Sequence, residues 1–70
     1  MKYFKKINST KKLIIKILEE NDRLMEVKEL FRDKRLYNTP SISCGYAFAY
    51  LEFENKILSD SNGKVFLLKK

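Results

Sequence analysis

The closing stretch "KILSDSNGKVFLLKK" constrains the fold most. Asn62-Gly63 sits between two apolar runs, and both residues tolerate the positive φ that tight β-hairpin turns demand, so the segment reads as two antiparallel strands joined at that dipeptide. Just ahead of it, "LEFEN" reads as the end of a helix, with Asn55 as a left-handed terminator. The chain has 70 residues, so it forms one domain at most.

Upstream, "STKKLIIKILEEND" has Ser9 or Thr10 to cap a helix. Leu13, Ile14, Ile17 and Leu18 recur at the spacing of a buried helical stripe, and Asn21 ends it. Residues 1–8 then read as a basic N-terminal arm, and 9–70 as the domain. Leu24 or Met25 marks a short extended segment, and a second helix is expected from about Glu26, with Val27, Leu30 and Phe31 inward. Arg32, Lys34 and Arg35 gather at its C-terminal end, where cations suit the helix dipole or a phosphate. Pro40 breaks the pattern, with Thr39 or Ser41 offered as a cap for a third helix.

The run from Ser41 to Glu54 supports two readings. At helical spacing, Cys44, Ala47, Phe48 and Leu51 face inward, leaving Ser43, Tyr46 and Tyr50 on or beside the outer face. At period two, Tyr46, Phe48 and Tyr50 alternate with Ala47, Ala49 and Leu51, as in a strand. Its length and the Asn55 stop favour the helix.

Composition narrows the function. Fifteen Lys and Arg against nine acids give a net charge of +6, which favours a polyanionic partner, nucleic acid first. Lys2, Lys5, Lys6, Lys11, Lys12 and Lys16 all precede the first acid, Glu19. No apolar run reaches the length of a membrane span, and "MKYFKKINSTKK" lacks the apolar centre of a secretory signal, so the expectation is a cytoplasmic protein with no membrane contact. With no histidine and a single cysteine, Cys44, the chain offers no disulfide, metal set or activated nucleophile. No enzyme activity and no cofactor or metal are expected, and Cys44 reads as a small core residue.

The order helix, extended segment, helix, turn, helix and hairpin resembles the winged helix-turn-helix family of DNA-binding domains. Leu51, Glu52, Asn55 and Ile57 stand where that family has a closing leucine, glutamate, glycine and isoleucine after its recognition helix. The resemblance implies an α+β fold of three helices followed by a C-terminal two-stranded hairpin. It implies groove contacts by Ser41, Ser43, Tyr46 and Tyr50, a wing of Ser61, Asn62, Gly63 and Lys64, and phosphate contacts by Lys11, Lys12, Lys34, Arg35 and the N-terminal lysines. The implied function is binding of double-stranded DNA, as a transcriptional regulator of a virus, plasmid or other mobile element. One departure stands out: the expected recognition helix carries no Arg, Lys, Asn or Gln before Asn55. The alternative is therefore a protein-interaction module or small inhibitor of a nucleic-acid-handling protein, anchored by Tyr46, Tyr50 and Phe53. A homodimer is compatible with either, with Tyr3 and Phe4 reaching a second subunit or folding back.

Overall fold

The computed structural model describes the backbone of residues 2–37 and 39–68, and the side chains of residues 6–37 and 39–68. The fold is α+β. Helix α1 (Lys2–Glu20) is followed by strand β1 (Leu24–Glu26), two one-turn helices α2 (Val27–Leu30) and α3 (Lys34–Tyr37), helix α4 (Ser41–Phe53), and strands β2 (Ile57–Ser59) and β3 (Lys64–Leu67). The strands form one antiparallel sheet in the order β1-β3-β2.

α1 begins well before the expected cap. Residues 2–8 are its first turns and not an arm, because the apolar stripe of Ile14, Ile17 and Leu18 extends upstream through Thr10 and Ile7 on the same side. Thr10 caps nothing; it is buried and its hydroxyl donates to the Lys6 carbonyl one turn back, at 2.7 Å. The helix ends at Glu20, with Asn21 Nδ2 donating to the Ile17 carbonyl at 2.8 Å. Asp22 and Arg23 then both take left-handed φ, +60° and +68°. Arg23 is held there from three directions: its N–H donates to Leu18 O, its carbonyl accepts from Leu67 N, and its guanidinium reaches Leu67 O. These bonds tie the exit of α1 to β3.

Two strands were expected and three are present. Leu24, Met25 and Glu26 pair with Phe66, Val65 and Lys64, while Ile57, Leu58 and Ser59 pair with Leu67, Phe66 and Val65. The second helix is also shorter than expected. Glu26 is extended and flanks α2, and Asp33 restarts the chain as α3 by accepting from Arg35 N through its side chain and from Leu36 N through its carbonyl. The hairpin forms at the expected place with a different turn. Only Gly63 has positive φ, +82°; its N–H closes on Asp60 O, and the Asp60 carboxylate accepts from the N–H groups of Asn62 and Lys64. That is a turn followed by a left-handed glycine, in place of two left-handed residues in succession.

Residues 41–53 are helical, which removes the strand reading. Pro40 occupies the N-cap without any side-chain cap from its neighbours. Asn55, at φ +59°, ends the segment as expected. The core gathers Ile14, Ile17 and Leu18 of α1, Leu30, Leu36, Cys44, Ala47, Leu51, Ile57 and Val65. Phe31 and Phe48 flank it with ring centroids 5.7 Å apart. No helix among the described residues is long and apolar enough to cross a membrane.

Two substitutions test this packing by urea unfolding. Leu51→Ala should cost about 2–5 kcal/mol, whereas Tyr46→Ala on the exposed side should stay within about 0.5 kcal/mol. At Asn55, glycine should be tolerated and valine should cost about 1 kcal/mol or more, since the left-handed conformation penalises a branched Cβ.

Candidate nucleic-acid and protein interface

α1 and α4 lie side by side and run in the same direction. Ile7 shares an apolar cleft with Ile42, Ser43 and Tyr46 at their N-terminal ends. One turn further on, Lys11 Nζ stands 5.7 Å from the centre of the Tyr50 ring and 2.8 Å from Glu54 Oε2, and beyond that Ile15 lines a cleft with Glu54, Asn55 and Lys56. The lysine-rich end of α1 and the opening turn of α4 therefore share one end of the molecule.

The expected contact residues fall into three groups. Ser41, Tyr46 and Tyr50 on α4, Lys12 on α1, Lys34 on α3, and Asn62 and Lys64 on the turn are exposed. Ser43 is not: at 3% exposure it lies on the same inward side as Ala47 and Leu51, four and eight residues on, and cannot reach a groove. Lys11 and Arg35 are engaged. Arg35 holds Glu20 with two nitrogens, at 2.7 and 3.2 Å, and Asp33 at 3.0 and 3.1 Å, so its fork is filled by two carboxylates. The side chains of Lys2 and Lys5, and those of Tyr3 and Phe4, lie outside the described residues.

Charge on this protein is segregated. Six lysines precede Glu19; from there on, the nine remaining cations are balanced by nine acids. The whole net +6 therefore belongs to the first sixteen residues, all but the first of which are on α1. Lys6, Lys12 and Lys16 are exposed, Lys12 and Lys16 on the side of α1 turned away from the core. By contrast, Lys28, Arg32, Lys34 and Lys64 are interleaved with Glu26, Glu29, Asp33 and Asp60, which flattens the potential around α2, α3 and the β2–β3 turn.

α4 departs furthest from a base-reading helix. Its free side presents Ile42 at 68% exposure, Tyr46 at 57%, Tyr50 at 40% and Phe53 at 85%, with exposed Ala49 between them. Sequence reasoning named the two tyrosines and Phe53 as anchors but passed over Ile42 and Ala49. The signal was there: residues 42, 46, 49 and 53 are spaced four, three and four apart, a second apolar stripe distinct from the buried one.

Hydrogen bonds from Arg35 hold Glu20 and Asp33 below the ordinary carboxylate range, and the hydrogen bond from Lys11 does the same for Glu54; Arg35 is itself pushed upward by both its partners. Burial raises the Cys44 thiol, which lies inside the core as a small residue. Among the described residues, no three His, Cys, Asp or Glu side chains gather as a metal-binding group. Comparisons with protein-family models, with characterised proteins and with solved structures find no match, so the surfaces have to be read from their own residues.

The three depressed carboxylates fix a pH dependence. Each favours the folded state above its unfolded pKa of about 4, and that contribution is lost as pH falls through the lower folded value. Arg35→Gln should therefore flatten the loss of stability between neutral pH and pH 3, measured by urea midpoints across the series.

Proposed function

We propose that this chain is a small winged helix-turn-helix protein that binds duplex DNA chiefly through the phosphates, with occupancy of the duplex, in the manner of a transcriptional regulator, as its effect. The observation that carries the reading is the confinement of the net charge to α1. A helix with six lysines and no acid in its first turn opposes its own dipole, and Lys12 and Lys16, one turn apart, repel each other. A phosphate backbone along that side relieves both penalties. The element order and the β1-β3-β2 sheet support the winged-helix part of the reading, and exposed Asn62 and Lys64 at the turn support contact by a wing.

Sequence preference is modest in this reading. Phosphate contacts by Lys6, Lys12, Lys16, Lys34 and Lys64 position the protein without reading bases. At the start of α4 only Ser41 and Tyr46 offer hydroxyls, and neither makes the bidentate pairs that discriminate strongly. A second reading, a protein-interaction module, draws on one specific observation: the apolar free side of α4.

A salt series separates the two. With four to six phosphates neutralised, log K should fall against log salt with a slope of roughly −4 to −5. Lys12→Glu with Lys16→Glu should reduce that slope by about 2 and weaken binding by at least about tenfold at low salt, while Tyr46→Ala with Tyr50→Ala changes it little. A slope near zero, or indifference to the charge reversal, overturns DNA binding and leaves the protein module.

A further inference from the structure

We infer that two copies of this chain pair through the free side of α4, antiparallel and about a two-fold axis. The face is unusual for a protein of net charge +6: Ile42, Tyr46, Ala49 and Phe53 carry no charge, so this is where two like-charged bodies can meet without direct repulsion. α4 buries Cys44, Ala47 and Leu51 on one side and presents a second apolar stripe on another, and a helix apolar on both sides is stable in water when both are covered.

The occupant follows from the spacing of the stripe and from the absence of charge on it. An antiparallel copy centred between residues 47 and 48 sets Ile42 against the partner's Phe53 and Tyr46 against the partner's Ala49, a large residue opposite a small one at the middle layers. Along the parallel pair, exposed Lys6 lies next to Ile7 by the N-terminal end of α4, while Lys11 lies farther along and is bonded to Glu54 at its C-terminal end. Antiparallel pairing sets Tyr46 against the small Ala49; parallel pairing would set Tyr46 against Tyr46 and Phe53 against Phe53. The outer side of α1 points away from α4, so pairing leaves both lysine faces open.

Area sets the strength. With about 200 Å² for an aromatic side chain, the exposed parts of Tyr46, Tyr50 and Phe53 amount to roughly 350 Å² per copy, and Ile42 and Ala49 bring the face to about 500 Å². Pairing then removes on the order of 1,000 Å², the size of a specific but weak interface, with a dissociation constant of about 10–100 μM.

Sedimentation equilibrium from about 5 μM to 1 mM tests this, with circular dichroism confirming that each variant is folded. The wild type should pass from monomer to dimer across the series, and Phe53→Asp should remain monomeric with an unchanged spectrum. Cross-linking with copper phenanthroline tests the geometry. Ile42→Cys combined with Phe53→Cys should give a disulfide dimer, while Ile42→Cys alone should not. Eleven residues of helix separate the two positions by about 16 Å, too far for a bridge within one chain or between two copies of residue 42 in the antiparallel pair. A wild type monomeric throughout, a Phe53→Asp variant that dimerises like the wild type, or efficient cross-linking by Ile42→Cys alone overturns the inference. Well below the dimer dissociation constant the protein is monomeric, so the salt slope measured there tests DNA binding separately from pairing.

Discussion

The parallel contact between α1 and α4 organises the rest of the molecule. Ser43 and Ala47, small residues one turn apart, lie on the buried side of α4, and Ile14, Ile17 and Leu18 supply the bulk from α1. In a chain this short, with one shared core, that contact fixes most of what remains. It leaves Phe31, at the C-terminal cap of α2, to cover Phe48, and the sheet to close the end of the core with Ile57 and Val65. It also decides which sides of the helices remain outside: the lysine side of α1 and the aromatic side of α4. The two faces differ in chemistry because one core stripe was cut from each helix and the remainders were left for different uses.

The lysines on α1 are a local cost that the fold does not relieve by itself. Cations in the first turns of a helix oppose the partial positive charge of its unpaired N–H groups, and like charges at i, i+4 add to the penalty. Among the described residues of this group Lys11 is compensated most directly, through Glu54 and the Tyr50 ring, a pair that also ties α1 to the end of α4, and Lys16 has Glu20 one turn on. Arg35 shows the contrary design: a guanidinium with two carboxylates already in its fork is a staple between α3 and the end of α1. Cations on this protein therefore divide into those that hold the fold together and those that face solvent, and composition alone could not sort them.

Much of the fold was legible wherever a single residue carries a steric necessity. Asn55 and Gly63 both take the left-handed conformation expected of them, and the buried stripes of α1 and α4 follow their 3.6-residue periodicity. What escaped depended on partners distant in sequence. β1 is three residues long and becomes a strand because β3, some forty residues later, offers it a ladder. The division of the second helix turns on Asp33, whose carboxylate serves a backbone N–H and a guanidinium at once. Ser43, expected on or beside the outer face, is buried because it stands four residues before Ala47 in the inward stripe. The site was less legible than the fold, since exposure can be read from periodicity but ion pairing cannot.

The aromatic side of α4 bears most directly on how such a protein could engage a duplex. A helix in the major groove gains specificity from bidentate donors and acceptors, each worth about 1–3 kcal/mol against the wrong base, and the groove offers an apolar side chain little beyond the thymine methyl. Phe53 and Ile42 in that groove would displace ordered water from polar base edges without replacing its hydrogen bonds, an unfavourable exchange. Against a second apolar helix the same side chains release water from surface that cannot hydrogen-bond it well, which is the favourable direction of the hydrophobic effect. In the proposed DNA-binding reading, pairing there leaves duplex contact to the lysine sides of two α1 helices and to the two β2–β3 turns, and linkage of two copies raises an affinity that is small for one. On that arrangement, weak dimerisation and weak phosphate binding are one coupled equilibrium, and protein concentration sets when the duplex is occupied.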